Sequence, residues 1–156
     1  MPEGARGRLS IAGKAAVAPD PAAALRHSGA TTIVCLVEPH ELVDQYPQYV
    51  EWLGDHRGDG TDDSAVWFPI ADLHALSVPK AELLLADLLR RLARDQHLLV
   101  HCGAGIGRTG MIVACLLVSL GRTVEQALAD VASVGAGPEV SAQRDLVEVI
   151  AARRDV

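Results

Sequence analysis

The sequence predicts an α/β fold: a single domain of three layers, in which a central, mainly parallel sheet is flanked by helices. Short apolar segments rich in β-branched residues alternate along the chain with segments of helical periodicity, and this alternation is typical of parallel sheets covered by helices. A length of 156 residues suffices for one such domain with a sizeable core. We therefore expect one domain over residues 1–156, with loose ends at 1–7 and 153–156.

The chain opens with a predicted strand and a predicted helix. Residues 9–12 (LSIA) have the composition of a short strand. Asp20 is a candidate N-cap, and Pro21 has the fixed φ that suits the first helical position. Gly29 can adopt the left-handed conformation that ends helices, so this helix is predicted over 21–28.

A strand buried on both faces is predicted next, over residues 31–37 (TTIVCLV). All of its residues are β-branched or apolar, as in the strands of a parallel sheet, and Pro39 ends it. One or two short helices are expected over 39–52, interrupted before Pro47. The charged segment 55–63 is expected to be a surface loop.

The middle of the chain predicts a strand over 65–70, an amphipathic helix over 79–95, a buried strand over 97–100 and an apolar helix over 111–120. The leucines at helical spacing in the amphipathic helix are Leu84, Leu85, Leu88, Leu89 and Leu92, and the charged residues assigned to its other face are Lys80, Asp87, Arg90, Arg91 and Arg94. The arginines could serve an anionic partner, but a solvated helix face is the favoured interpretation.

Two further helices are predicted towards the C-terminus. Gly121 ends the apolar helix. Residues 123–126 (TVEQ) have the spacing of a capping box, which predicts the start of the next helix. Ser141 is a candidate N-cap for the last helix, after a break at 135–138.

The most informative segment is residues 101–110 (HCGAGIGRTG), between the strand over 97–100 and the apolar helix. Its glycines allow successive N–H groups to point into one concavity. The helix adds its free N–H groups and the positive end of its dipole, and Arg108 adds a planar fork that matches two phosphate oxygens. Because the same field favours a thiolate at Cys102, the segment combines a nucleophile with a cradle for a phosphate dianion.

The composition argues against several classes of function. A net charge of −6 does not suit a broad nucleic-acid surface, and the few Trp, Tyr and Phe residues do not form a base-stacking platform. Three cysteines at unrelated spacings do not suggest disulfides, so we expect a reducing, cytoplasmic location. There is no secretory pattern, and the apolar run 111–120 is too short to cross a bilayer. No stable membrane association is expected, and a monomer is favoured.

The pattern His101-Cys102-x5-Arg108-Thr109-Gly110 resembles the signature of the cysteine-dependent protein tyrosine phosphatase superfamily, and the small size is similar to its compact dual-specificity branch. The resemblance implies a strand–loop–helix active site in which Cys102 is the nucleophile. The phosphate-binding residues would then be Gly103, Ala104, Gly105, Ile106, Gly107 and Arg108.

Residues 68–72 (FPIAD) resemble the general-acid loop of the same branch and differ from the Trp-Pro-Asp form of larger tyrosine-specific enzymes. A phenolate or alkoxide leaves phosphorus slowly unless an acid protonates it. The resemblance makes Asp72 that acid, and then the base that activates water. Asp62, Asp63 and His74 are alternative donors, and a helix N-cap or exposed turn carboxylate is the structural alternative for Asp72.

Four further roles depend on the resemblance. Thr109 would donate a hydrogen bond to the cysteine sulfur, and His101 would orient the cysteine backbone and help set the pKa of the thiol. Gln143 would hold the hydrolytic water, with a solvent-exposed helix glutamine as the alternative. Glu38 would support the loop from the end of the strand over 31–37, with a solvent-exposed carboxylate as the alternative.

The resemblance implies chemistry without a metal or another cofactor, and the six histidines show no metal-ligand spacing. Cys102 should be oxidisable to a sulfenic acid. Cys35 and Cys115 have the character of small core residues, and whether either could form a disulfide with an oxidised Cys102 is left open.

The expected substrate is a phosphorylated protein, with phosphotyrosine favoured. Family members that act on highly charged inositol phosphates often carry lysines inside the loop, whereas residues 103–107 contain none. A phosphoinositide or another non-protein phosphate remains the alternative. Two other hypotheses are a non-catalytic phosphate-binding module and a rhodanese-type sulfurtransferase, although the rhodanese loop is typically one residue shorter and lacks the Arg-Thr-Gly ending.

Overall fold

Four strands form one parallel sheet in the computed structural model, which describes residues 7–58 and 63–155. They are β1 (Arg8–Gly13), β2 (Thr32–Cys35), β3 (Ser64–Trp67) and β4 (His97–Cys102). The strand order is β1-β4-β2-β3, and every neighbouring pair is parallel. The predicted α/β fold with a parallel central sheet is confirmed.

Helices flank this sheet. Over the described residues they are α1 (Lys14–Val17), α2 (Pro21–Ser28), a 3-10 helix (Pro39–Glu41), α3 (Pro47–Asp55), α4 (Val78–Ala93), α5 (Gly107–Ser119), α6 (Val124–Ala132) and α7 (Ser141–Arg154). α1 contacts β1 and β4, α2 contacts β2, and α3 contacts β3, whereas α5 packs against β4 and is surrounded by α4, α6 and α7. The two groups of helices are the outer layers that the sequence predicts.

Two predicted helix starts are confirmed by their caps. Asp20 Oδ1 accepts the N–H of Ala23 at 3.0 Å, and Gly29 ends α2 with a φ of 74°. At the start of α6, Thr123 and Gln126 form the reciprocal capping box, with N···O distances of 3.0 and 3.1 Å. These signals are local in sequence, so neither depends on tertiary packing.

α5 forms the centre of the core. Every residue from Gly107 to Val118 is buried, as the apolar run that begins at Met111 predicts for most of the helix, and the burial extends to the polar residues Arg108 and Thr109. A Cβ at Gly110 would overlap with the backbone nitrogen of Gly137, so glycine is needed for the segment before α7 to approach the first turn of α5. Among the described residues, no helix is both long and apolar enough to span a membrane.

Arg91 corrects the predicted solvated face of α4. Its side chain is only 4% exposed. It donates to Asp87 Oδ1 at 3.2 Å, to Ser64 Oγ at 3.4 Å and to Gly58 O at 2.6 Å. Arg91 lies one turn from Leu88 on the helix and therefore shares the buried side of the leucines, while these polar groups satisfy its guanidinium.

The chain ends also differ in part from the expectation. Gly7 donates its N–H to Leu92 O at 3.1 Å. α7 continues through Arg154, whose guanidinium donates to the carbonyls of Val118 and Arg122. Of the residues expected to be loose, Gly7, Arg153 and Arg154 therefore belong to the fold, whereas residues 1–6 and 156 lie outside the described part of the chain.

The start of α7 is a further correction. The N-cap is Val140, which has no side chain for capping, and the predicted cap Ser141 is already helical. The Oε1 of Gln143 accepts the N–H of Glu139 at 2.8 Å. This bond fixes the segment just before the helix, and no side chain caps the first turn of α7.

Candidate active site

A loop of four residues, 103–106, joins the end of β4 to the start of α5 at the carboxyl edge of the sheet. The junction of β1 and α1 packs against it, because Lys14 donates its N–H to Gly103 O at 2.9 Å. Gly105 has a φ of 77°, and a Cβ there would lie 2.5 Å from Ala12 O. Both features require glycine, so the loop is shaped jointly by its own sequence and by β1.

Arg108 lies beside this loop and is only 3% exposed. Its Nη1 and Nη2 donate to the two carboxylate oxygens of Glu41 at 2.8 and 3.0 Å, and Nη1 also donates to Ile70 O at 2.9 Å. Burial alone would lower the pKa of Arg108, but the hydrogen bonds and charge of Glu41, with smaller contributions from Cys102 and Asp72, raise it. The guanidinium is therefore a fixed positive charge.

One nitrogen of Arg108 is unsatisfied. Its Nε is buried and makes no hydrogen bond within residues 7–58 and 63–155. A buried N–H without an acceptor costs about 1–3 kcal/mol. A phosphate oxygen is an acceptor that fits this position, because guanidinium binds such oxygens in a planar, directional manner and the neighbouring loop supplies backbone N–H groups.

Cys102 ends β4, where strand, loop and helix meet. Its register partner across the sheet is Gly13, the last residue of β1. The cysteine is only 2% exposed, so the thiol is less accessible than the sequence suggests. Its position directly before the loop agrees with the predicted strand–loop–helix arrangement.

His101 and Tyr49 hold the backbone of Cys102. The Nδ1 of His101 lies 3.2 Å from Cys102 O, and its Nε2 lies 2.5 Å from the hydroxyl of Tyr49. Burial lowers the pKa of His101 to about 4, so the ring is neutral at pH 7. With its proton assigned to Nδ1, the ring donates to the Cys102 carbonyl and accepts from the Tyr49 O–H, which satisfies both contacts.

Asp72 lies on a turn that faces Arg108. The N–H of His74 donates to Ala71 O at 3.0 Å to close this turn, and the N–H of Leu73 donates to Asp72 Oδ1 at the same distance. Asp72 Oδ1 is 3.6 Å from Arg108 Nη2, and the Asp72 side chain is 65% exposed. The carboxyl group is thus beside the guanidinium and accessible from solvent, so the leaving group of a bound ester could come within its hydrogen-bond reach.

The alternative proton donors are placed less favourably where they are described. His74 Nδ1 lies 2.8 Å from Asp72 O, within the acid loop itself, and has no described contact with Arg108. Asp63 likewise has no described contact with Arg108 and precedes β3. Asp62 lies outside the described residues. Asp72 is therefore the best-placed donor among the described candidates.

Thr109 and Gln143 differ in part from their expected contacts. Thr109 Oγ1 is buried and has no hydrogen-bond partner within the described residues, so it makes no bond to Cys102 in this structure. Gln143 is fully buried, which excludes the solvent-exposed alternative. Its Oε1 accepts from Glu139 N, and its Nε2 donates to His74 O at 3.2 Å. Gln143 therefore joins the acid loop to the segment before α7.

Glu41, and not Glu38, is the carboxylate that supports Arg108. Pro39 begins a 3-10 helix after Glu38, and this turn carries Glu41 back towards the loop. Glu41 Oε2 also accepts the N–H of Glu38 at 2.9 Å. Burial alone would raise the pKa of Glu41, but hydrogen bonds from Arg108 and from the Glu38 backbone lower it. A glutamate three residues after Glu38, with proline between them, is a capping-box spacing that could have predicted the bond of Glu41 to the Glu38 backbone, but not its pair with Arg108.

Glu38, His40 and Glu41 are also close enough to hold a metal, since one ligand atom of each lies within 4.8 Å of the others. Both carboxylate oxygens of Glu41 are already bonded to Arg108, however, and His40 has an exposed side chain. A metal here would have to displace a buried ion pair, so these residues do not fit a metal centre well.

Comparison with known proteins gives one family and one fold. Residues 7–154 match the family model described as Swiss Army Knife protein, DSP-PTPase phosphatase domain. Tk-PTP in its active form is 24% identical with a TM-score of 0.69, and the match covers 98% of this chain and 99% of that chain. Human DUSP28 is 15% identical with a TM-score of 0.67, covering 99% and 98%. PTPMT1 in complex with PI(5)P is 13% identical with a TM-score of 0.64, covering 84% and 82%. No curated protein matches the chain.

Proposed function

The chain belongs to the DSP-PTPase phosphatase family, and from this membership we propose that it hydrolyses phosphomonoesters through a phosphocysteine intermediate. The proposed reaction needs no metal, and the proposed substrate is phosphorylated protein in a reducing, cytoplasmic environment, with phosphotyrosine preferred. The observation that carries the proposal is the buried, unpartnered Nε of Arg108 beside the Cys102 loop. Glu41 compensates part of the Arg108 charge and accepts hydrogen bonds from its two terminal nitrogens. The N–H of Nε is directional and has no described partner, so it favours an oxyanion as acceptor.

In the first step, the Cys102 thiolate attacks phosphorus. An S–P bond forms and the P–O bond to the leaving group breaks, while Asp72 gives its proton to the departing oxygen. Arg108 and the N–H groups of residues 103–107 stabilise the equatorial oxygens of the transition state. The distance of 3.6 Å between Arg108 Nη2 and Asp72 Oδ1 supports these roles, because it brings acid and phosphate site together.

In the second step, water attacks the phosphocysteine. Asp72, now a carboxylate, takes a proton from that water, the S–P bond breaks, and phosphate leaves together with a regenerated thiolate. Gln143 is proposed to place the water. Its Nε2 has a second N–H besides the one donated to His74 O, which supports this role. Thr109 is proposed to donate to the sulfur as it becomes a leaving group, and its hydroxyl is unpartnered.

Two exposed apolar side chains support an aryl leaving group. Ile106 is part of the loop and is 39% exposed, and Leu73, beside Asp72, is 51% exposed. Apolar side chains at the mouth of a site suit an aromatic ring better than a hydroxylated sugar ring. A phosphoinositide or other non-protein phosphate is the alternative substrate, and substrate comparison decides between them.

The first experiment measures hydrolysis of p-nitrophenyl phosphate in excess chelator, for the native chain, Cys102→Ser and Asp72→Asn. We expect no activity in Cys102→Ser and a decrease in kcat of about 100-fold or more in Asp72→Asn, since a general acid typically contributes that much. Asp145→Asn is the matched control, because Asp145 is exposed on α7 and should leave kcat unchanged.

Three results would contradict the proposal in distinct ways. Activity that persists in Cys102→Ser would exclude the phosphocysteine, and activity abolished by the chelator would exclude a metal-independent mechanism. An unaltered kcat in Asp72→Asn would move the acid to another residue. Phosphotyrosine, phosphoserine and inositol phosphate substrates are then compared by kcat/KM, and a higher value for inositol phosphate would favour the alternative.

A further inference from the structure

Lys14 forms hydrogen bonds with both segments that lie beside Arg108, which are the loop over 103–106 and the 3-10 helix that carries Glu41. Its backbone N–H donates to Gly103 O at 2.9 Å, at the start of the loop. Its ammonium donates to Glu41 O at 3.3 Å, and the Glu41 carboxylate in turn pairs with Arg108. Lys14 is therefore attached to the site at both ends, by its main chain to the loop and by its side chain to the residue that orients Arg108.

The charge of Lys14 has no carboxylate partner. No acidic oxygen of the described residues lies within 4 Å of its Nζ, whose described hydrogen bond goes to a neutral carbonyl. The side chain of Glu41 is occupied by Arg108, and Asp72 is neutral while it acts as the acid. Since an ammonium has three donors, two of them remain for another acceptor, and the side chain is partly exposed.

We propose that Lys14 is a specificity-determining residue that binds a second anionic group on the substrate, next to the phosphate that is hydrolysed. The proposal rests on the proposed phosphatase function and adds the class of substrate: phosphomonoesters that carry a neighbouring carboxylate or a second phosphate. Lysine is suited to this position, because a flexible, compact point charge can reach either kind of group.

The charges at the other end of the loop also favour binding of the second anionic group on the Lys14 side. The carboxylate of Glu139 packs against Gly107, where the loop gives way to α5. Lys14 contacts Gly103, at the opposite end of the loop sequence. A carboxylate also lies at the Lys14 end, since Glu41 Oε1 is 4.0 Å from where a Cβ of Gly103 would be, but Arg108 compensates its charge. Glu139 has no ion pair among the described residues, so a second negative charge would be repelled near Glu139 and attracted near Lys14, and the substrate binds with its second anion towards β1 and α1.

The test uses three phosphotyrosine peptides that differ at one neighbouring residue, which is alanine, glutamate or phosphoserine. The native chain should show a kcat/KM about fivefold higher for the glutamate and phosphoserine peptides than for the alanine peptide. A factor of about five is what one partly exposed ion pair, here between Lys14 and the peptide, contributes to binding. In Lys14→Met that ratio should fall to about one, while Lys14→Arg should retain most of it. The glutamate and phosphoserine arms show whether a carboxylate or a phosphate is preferred.

The chain offers a matched control, since its other lysine is Lys80, which is exposed in the first turn of α4 and has no described contact with the loop. Lys80→Met should keep the native ratio. If Lys14→Met lowered kcat/KM for all three peptides by the same factor, Lys14 would serve only to place Glu41, and the proposal would be overturned. An unchanged ratio in Lys14→Met would overturn it as well. Failure of the phosphatase function itself is separate, because it would appear as activity that survives in Cys102→Ser.

Discussion

At the scale of single residues, the site is organised around a buried arginine whose charge is held by one carboxylate. Arg108 is 3% exposed, and its two terminal nitrogens bind Glu41 while its Nε stays free of described partners. A lysine could not replace Arg108 here. Its ammonium lacks the planar guanidinium that binds a carboxylate through two nitrogens and still directs a third N–H towards the proposed substrate. Glu41 thus fixes the position of the Arg108 guanidinium, which is the group proposed to bind phosphate.

We expect Glu41→Gln to lower kcat/KM by about tenfold and to destabilise the fold by about 2 kcal/mol, because the buried Arg108 would lose its neutralising charge. The rate should fall more at low than at high substrate concentration, because a guanidinium that Glu41 no longer holds in place should bind phosphate more weakly and so raise KM. Urea unfolding and steady-state kinetics with p-nitrophenyl phosphate provide the two measurements.

The control for this prediction is Glu38→Gln, which keeps the oxygen that caps the 3-10 helix and alters a carboxylate with no described contact to Arg108. A greater loss of activity in Glu38→Gln than in Glu41→Gln would restore Glu38 as the supporting residue and reject the assignment of Glu41.

At the scale of elements, the junction of β4, the loop and α5 depends on glycine at defined positions. Gly105 adopts a left-handed conformation against Ala12 O, and Gly110 allows close approach of the backbone at Gly137. These contacts join the loop to β1 on one side and to the segment before α7 on the other. The conformation of the loop therefore depends on contacts between three separate parts of the chain.

Gly105→Ala should abolish hydrolysis of p-nitrophenyl phosphate and lower the free energy of unfolding by about 2 kcal/mol. The added Cβ would combine a left-handed backbone with a 2.5 Å approach to Ala12 O. Gly54→Ala is the matched control, because Gly54 lies in α3 with open space around it. That control should stabilise the fold by about 0.5 kcal/mol through helix propensity and leave kcat unchanged. A fully active Gly105→Ala would show that the loop tolerates a shift of β1.

At the scale of the whole molecule, the sheet and α5 place three cysteines in very different positions. Cys35 on β2 and Cys115 on α5 are fully buried, and burial raises the pKa of each thiol to about 12. Cys35 is also paired in register with His101, the residue before Cys102. All three cysteines are free thiols in the structure.

Iodoacetamide at pH 7 should modify Cys102 slowly in the folded protein, since this cysteine is 2% exposed, and inorganic phosphate should protect it. Cys35 and Cys115, which are both 0% exposed, should stay unmodified. Both buried thiols are protonated at that pH and are reached only when the core opens, so their labelling should follow global unfolding in urea. Mass spectrometry of labelled peptides, for the native chain and for Cys102→Ser, measures each site. Labelling of Cys35 in the folded protein as fast as Cys102 would show that the sheet edge opens locally.

Much of the site could be predicted from the sequence, because its central part is contiguous. Cys102, the glycines and Arg108 lie within one short segment, and a strand end followed by a helix start requires only local signals. The starts of α2 and α6 were predictable for the same reason, since an N-cap and the residues it bonds are three positions apart or fewer.

Tertiary structure alone decided which residues contact the loop from distant parts of the sequence. Three residues contact the loop or its neighbours from 50 to 90 positions away in the sequence. They are Glu41 with Arg108, Tyr49 with His101, and Lys14 with Gly103. The hydropathy pattern of the sequence does not predict such pairs. The helical pattern predicts an exposed Arg91, because a charge on an amphipathic helix usually faces solvent, and only the packing of α4 shows its buried partners. The sequence alone thus determined which residues form the loop between β4 and α5, because they are contiguous. Only the tertiary structure decided which partners contact its charged groups, because Lys14, Glu41 and Tyr49 lie on elements that the parallel sheet brings to the same edge.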